Sequence, residues 1–316
     1  MGLVWGVAWG IVKTVSGAVV VAQLACFVVA LYEMLNRPEM RLVRLAPGAL
    51  AGAVRGLVVE TIGTIVAVLT VPLGALPWRR MPDDVRLHRP PIVFVPGYLM
   101  TRSCLWLLRR RLARAGWRDA VGYNYRTFHG DLRTAARGLG TLIEDVVATC
   151  AASHVVVVAH GMGGLVARLC LHQRVHPCVR TLVTLGTPHQ GSKLHALALD
   201  PMAQDMRAGS ELLEELDADD ALPRRLDMTA IYSSFDLTVV PSSAGQCPGA
   251  SNIEVEGVGH VGLLWSARVF DLVRENLEFA HETSPAEGVE NAKQPAREPQ
   301  AEPSARTQRA TSSASE

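Results

Sequence analysis

Net charge is the first thing this chain is short of. Its 31 Lys and Arg residues against 30 Asp and Glu leave only +1 over 316 residues, so there is no electrostatic reason to expect nucleic acid or an acidic partner. The arginines are scattered, without a basic stripe carrying interleaved aromatics, and no nucleic-acid surface is expected. Six cysteines (Cys26, Cys104, Cys150, Cys170, Cys178, Cys247) contain no C-x-x-C pair to accompany a histidine pair at ligand spacing. That argues against a zinc site, and the cysteines read as buried free thiols. Neither a metal nor a cofactor is called for. The stretch Thr283 to Glu316 has no aromatic residue and consists largely of Ala, Glu, Pro, Ser, Gln and Arg. It cannot bury enough apolar surface to fold, so a disordered tail is expected over 283–316.

Apolar residues are plentiful, at 49%, which is ample for a core. From Leu3 to Tyr32 the chain is apolar apart from Lys13, Gln23 and a few small hydroxyls. The part after Lys13 is long enough to cross a bilayer, which takes about 20 residues. A cleaved signal peptide is the competing reading. Against it stand the missing positive cluster at the start, the length of the run and the lack of a small-x-small cleavage site. A polar break from Asn36 to Arg44 leads to a second apolar run, Ala49 to Leu76, interrupted by Arg55 and Glu60. Arg55 can snorkel to an interface, whereas Glu60 needs a partner or a protein-facing position. A two-helix membrane hairpin is therefore expected over residues 1–80, with a membrane location for the protein. The alternative is an amphipathic or re-entrant helix pair lying against the membrane or the globular domain. Arg37, Arg41 and Arg44 fall between the runs while Arg79, Arg80, Arg86 and Arg89 follow the second, so the charges leave the orientation open.

Pro72, Pro77, Pro82, Pro90 and Pro91 punctuate the exit from this region, and a globular domain is expected over 87–282. Within it, strands are predicted at Ile92–Val95, Ala120–Tyr125, Val155–Val158, Val179–Leu185, Met228–Ser233 and Asn252–Val255. Helices are predicted at Ser103–Ala115, Asp131–Cys150, after Gly164, and at Leu263–Phe279. Leu194 to Leu222 carries short helical patches and acidic clusters suited to a lid or cap. Strands alternating with helices imply right-handed crossovers and a mainly parallel sheet covered on both faces.

The centre of this pattern is His154 to Leu169. Four consecutive valines, Val155 to Val158, read as a strand buried on both faces, followed by a tight turn at Gly163 and Gly164 and a helix. Strand, sharp turn and helix are the context of a nucleophile elbow, G-x-S-x-G. The five positions here are Ala159, His160, Gly161, Met162 and Gly163. Where the motif has its serine, this chain has Gly161.

Three further landmarks follow in chain order. Pro96-Gly97-Tyr98 forms a turn after the first strand, and Gly186-Thr187-Pro188-His189 closes another. The segments around Asp236 (Ser233 to Pro241) and His260 (Gly257 to Gly262) each follow a later strand. With these landmarks, residues from about Pro91 to Glu278 resemble the α/β-hydrolase family, and within it the bacterial triacylglycerol lipase and esterase branch. Pro96 stands where a histidine is usual in that family's oxyanion loop. The resemblance implies the α/β-hydrolase fold and an ancestry in hydrolysis of apolar acyl esters. It assigns Asp236 and His260 as the acid–histidine pair, and Gly161 as the nucleophile position. The backbone N–H groups of Met162 and Tyr98 would form the oxyanion hole, since main-chain donors survive loss of the serine. His160 and His189 match motif positions, but packing and backbone hydrogen bonding are expected of them.

Without an Oγ at residue 161 no acyl-serine can form. Three readings remain open from the sequence: a crippled or inactive esterase held at a membrane, a pseudohydrolase binding a lipid or a protein partner there, and an active enzyme whose serine was lost or deliberately replaced.

Overall fold

The computed structural model describes residues 2–36, 49–76, 89–174, 176–218 and 226–282. The polar stretch at 37–48, the linker containing the expected boundaries at 80 and 87, and the 283–316 tail lie outside them.

The elements run α1 (Gly2–Asn36), α2 (Ala49–Leu69), β1 (Ile92–Val95), α3 (Trp106–Arg114), β2 (Ala120–Gly122), α4 (Leu132–Cys150), β3 (Val155–His160), α5 (Met162–Gln173), β4 (Val179–Leu185), α6 (Pro201–Gln204), α7 (Glu211–Ala218), β5 (Asp227–Ser233), β6 (Ser251–Val255) and α8 (Ala267–Glu282). The strands form one sheet in the order β2-β1-β3-β4-β5-β6, with every neighbouring pair parallel. The four valines of β3 divide between its faces. Val155 and Val157 pack with Leu139 and Ile143 of α4 and Leu165 and Leu169 of α5. Val156 and Val158 pack with Leu108 and Leu112 of α3 and Val273 and Leu277 of α8. Burial on both faces explains the unbroken apolar run, each such side chain contributing about 1.5–3 kcal/mol.

The chain leaves β1 to one side for β2 and returns to the other side for β3. A crevice opens beyond the carboxyl ends of the strands at such a reversal. Gly97 and Gly161, which follow β1 and β3, sit at that crevice.

Several predicted boundaries move: the helix expected from Ser103 starts at Trp106 after a 3-10 turn, and the turn expected at Gly163 and Gly164 falls at Gly161, with α5 starting at Met162. The strand expected to reach Tyr125 ends at Gly122, because Asn124 turns its Nδ2 to the Gly74 carbonyl at 2.7 Å and the Tyr125 hydroxyl bonds the Pro96 carbonyl at 2.7 Å. The closing helix begins at Ala267 rather than Leu263, after a separate 3-10 turn at Val261–Leu264. All six cysteines are free thiols, with Cys26 and Cys178 only partly buried.

The N-terminal helices differ from the expected hairpin of two spans. Among the described residues one helix, α1 over Trp5–Glu33, is long and apolar enough to cross a membrane. Helix α2 instead docks on the globular domain. Gly56 lies against the Phe235 ring and Gly63 against the Trp265 ring, so closely that a Cβ would fall 2.3 and 2.8 Å from ring carbons. Glu60 is buried against the turn after His260. Its other side, with Val54, Val58, Ile62 and Val66, stays exposed and apolar. Helix α1 meets α2 through Gln23, which donates to Thr64 at 2.8 Å, and the domain through a Glu33–Lys193 ion pair at 2.9 Å.

Candidate functional site

Asp236 follows β5 and His260 follows β6, and the two side chains meet. His260 Nδ1 lies 2.8 Å from Asp236 Oδ2. The other carboxylate oxygen, Oδ1, accepts the N–H groups of Thr238 at 2.7 Å and Val239 at 2.9 Å, so the acid is fixed before the histidine reaches it. Both residues are buried. Burial acts to lower the His260 pKa, but the charge and hydrogen bond of Asp236 outweigh it and the net shift is upward. A histidine bonded through Nδ1 to a carboxylate presents Nε2 as the proton acceptor.

Gly161 faces that Nε2. A Cβ built on Gly161 would sit 3.1 Å from His260 Nε2 and 3.7 Å from the Gly97 Cα. A serine here would need the imidazole to give by a few tenths of an ångström. Gly161 has φ 52° and ψ −127°, a conformation that residues with a Cβ adopt only under strain. The N–H of Gly161 donates to the Leu185 carbonyl at 2.9 Å, which pins the turn across β4.

Other glycines make room for this turn. Gly163 approaches β1 so closely that a Cβ would fall 2.5 Å from the Pro96 carbonyl oxygen. Gly186 has φ 57°, and a Cβ there would strike the dyad itself, 3.0 Å from His260 Nδ1 and 3.1 Å from Asp236 Oδ2.

Of the two predicted backbone donors, Met162 is the first residue of α5, so its N–H is among the first-turn amides that have no acceptor within the helix. Tyr98 follows Gly97 at the end of β1, opposite the elbow. Its ring packs 6.3 Å from that of Phe128, and its hydroxyl is pushed up to about 12 by burial and by the neighbouring Asp200 carboxylate.

His160 and His189 are buried. His160 Nε2 bonds the His260 carbonyl at 3.1 Å, and its ring centroid lies 4.6 Å from that of His260. Burial, with the His260 charge next, holds its pKa near 3, so it is neutral and its ring N–H is the donor in that bond. His189 Nε2 bonds Thr184 Oγ1 at 2.9 Å. Three residues that motif reading missed also gather here. His195 is buried and held to about 4 by burial and then by the His260 charge. Asp200 accepts the His129 N–H at 2.7 Å. Glu60 bonds the turn that follows His260. No local pattern marks these three, because their partners are remote in sequence.

A parallel sheet, an elbow at the end of β3, and an acid and a histidine after β5 and β6 define the α/β-hydrolase fold, and the solved structures agree. The chain is similar to lipase B of Aspergillus fumigatus, with a TM-score of 0.54 and 20% identity over 63% of this chain and 55% of that one. It is similar to the mature form of lipase BlEst2 of Bacillus licheniformis, with a TM-score of 0.53 and 19% identity over 63% of this chain and 96% of that one. The propeptide form of BlEst2 gives 0.52 and 20%, over 61% of this chain and 52% of that one. The chain thus spans only about half the length of two of these three structures. More particularly, residues 130–207 match the family described as a PGAP1-like alpha/beta domain. The chain has the α/β-hydrolase fold, and its structural neighbours include lipases.

Proposed function

We propose that this protein is a lipase/esterase-type α/β-hydrolase, anchored at a membrane by α1, whose site accepts apolar acyl esters and whose acyl-transfer step is lost with the nucleophile. Asp236 and His260 are its acid and base, Gly161 is the vacated nucleophile position, and the Met162 and Tyr98 amides are the oxyanion donors. The observation that carries this reading is the 3.1 Å between a Cβ at residue 161 and His260 Nε2, with Nδ1 already held by Asp236. A hydroxymethyl group placed there brings its oxygen within reach of the base that would deprotonate it.

With glycine in place, what chemistry remains runs through water. A water in the space beside Gly161 gives a proton to His260 Nε2 and its oxygen adds to the acyl carbon. The ester C–O bond then breaks, and the imidazolium returns the proton to the departing alcohol. Triad-deleted serine hydrolases keep roughly 10³–10⁴-fold catalysis over water through the oxyanion hole and binding, so turnover as written lies several powers of ten below that of a complete triad. A second reading, a pseudohydrolase that binds an ester lipid without cleaving it, is favoured by Gly161 itself, because glycine relieves the strain of the turn while the frame stays assembled.

The test is hydrolysis of a short-chain p-nitrophenyl ester by the chain as written and by Gly161→Ser. Strong turnover gained by the serine variant and lost again with His260→Ala supports the esterase reading. A folded but inert serine variant supports the binding reading instead.

A further inference from the structure

Glu60 is the only acid in α2, and Arg55 is the only other charged residue of that helix. Its side chain turns away from the apolar exposed face and into the globular domain, where the residue is 1% exposed. Oε1 accepts the Val261 N–H at 2.7 Å and Oε2 accepts the Gly262 N–H at 3.1 Å. Those amides open the 3-10 turn that starts immediately after His260, so the carboxylate closes the turn's exposed donors as a capping residue would. On the other side of His260, Gly259 admits the same carboxylate, for a Cβ there would lie 2.2 Å from Oε2.

The helix is held again beyond its end. The 3-10 turn Val71–Ala75 presents the Gly74 carbonyl to Arg102 Nε at 3.0 Å and Asn124 Nδ2 at 2.7 Å, while Arg102 Nη2 reaches the Leu76 carbonyl at 2.8 Å. Thr101 Oγ1 donates to the Val71 carbonyl at 3.2 Å. Thr101 and Arg102 follow closely on Pro96-Gly97-Tyr98. One apolar helix with its short extension therefore grips both the histidine loop and the segment beyond the oxyanion turn.

We propose that Glu60 is a positioning residue for His260, fixing the loop so that the imidazole stays between Asp236 and the elbow and making the site depend on the docked N-terminal helix. The proposal rests on the reading of His260 as the general base. A neutral amide keeps one acceptor for the turn but turns its NH2 toward the other N–H, while a buried carboxylate carries a desolvation penalty. What the charge adds is a second acid within electrostatic reach of His260, beside Asp236. Burial pushes the Glu60 carboxyl up, and His260 and the two amides pull against that. The other groups around the imidazole, His160 and His195, are held neutral near pH 7.

The experiment uses the full chain in detergent micelles with 15N-labelled histidine, the His260 signal being assigned by its loss in His260→Ala. Glu60→Gln is expected to lower the His260 titration midpoint while leaving the fold intact. Glu60→Ala is expected to lower it too, and in the Gly161→Ser background to reduce kcat by about a hundredfold, as small misplacements of a reacting group do, with KM little changed. Gln23→Leu, which cuts the bond between α1 and α2, is expected to leave both readings alone. A folded Glu60→Ala protein with unchanged midpoint and kcat overturns the proposal, as does a Gln23→Leu protein that shifts them as far. The midpoint is read without turnover, so an inert Gly161→Ser enzyme would count against the esterase reading while the Glu60 proposal is still decided by titration.

Discussion

The two sides of the crevice have kept different things. Beyond β5 and β6 the side chains are complete: Asp236 has both oxygens engaged, His260 is bonded to it, and Glu60 and His160 hold the histidine loop from two directions. Beyond β3 the backbone makes the turn, and the position proposed for the nucleophile, Gly161, carries no side chain. The elbow still turns with φ 52° at Gly161, and α5 still begins at Met162 against β1. On the proposed reading, acyl transfer depends on the single residue at position 161, whereas the geometry around it rests on many contacts. Glycine also suits the strained turn better than serine does, so the elbow side folds with less strain as it stands.

Variants can break or sharpen that contrast. The largest effect is expected on the intact side. Gly161→Ser/Asp236→Asn should hydrolyse a p-nitrophenyl ester about 10⁴-fold more slowly than Gly161→Ser alone, as when the orienting acid of a triad is made neutral. Equal kcat/KM values would mean that Asp236 does not orient the base.

Acid should come next, and it acts on the histidines packed around the site. His160 and His195 are depressed from 6.5 to about 3 and about 4. Their unfolded forms take up protons first, so the stability they contribute is complete above the ordinary histidine range and is lost as the pH falls toward those values. His260 is shifted the other way. Its contribution is present below the ordinary range and disappears as the pH rises through its raised value. The depressed residues outweigh it, and denaturant melts at pH 7 and pH 4.5 should differ by a few kcal/mol in favour of pH 7, at 1.36 kcal/mol per pKa unit. A chain more stable at pH 4.5 would contradict the burial of these neutral rings. Hydrolysis by Gly161→Ser, which needs neutral His260, should rise with pH through the raised His260 value.

On the elbow side the expected change is smaller and runs against activity. Gly161→Ser places a Cβ at positive φ and close to the imidazole, and should lower stability by about 1–3 kcal/mol in a thermal or urea melt. A serine variant as stable as the parent would remove the strain argument. Smallest of all, Lys193→Ala, which removes the exposed partner of Glu33, should change stability by about 1 kcal/mol or less.

The elbow side was also the more legible in sequence. Four valines buried on both faces announce β3, and the glycines after it announce a turn into α5, because these features are local, although the turn falls at Gly161, with Gly163 and Gly164 inside the helix. Asp236 and His260 could be read as a pair only through the family resemblance, with their order along the chain and their places after strands. Gly186 was read as part of a motif, but the reason for its missing Cβ, the dyad beside it, is a tertiary fact. Glu60 shows the limit most clearly. In sequence it was a charge interrupting an apolar run that resembled a span. In the fold it faces amides 201 and 202 residues away, and no periodicity records a contact of that separation. The same contact, with Phe235 and Trp265 packed against Gly56 and Gly63, is why α2 lies on the domain where a second span was expected.

The most direct measurement is labelling by a fluorophosphonate probe, read by mass spectrometry on the chain as written and on Gly161→Ser. No adduct on the former and a single adduct at residue 161 in the latter, abolished by His260→Ala, is the predicted result. An adduct on any residue of the unmodified chain, or none on a folded serine variant, would contradict the placing of the vacant nucleophile at Gly161.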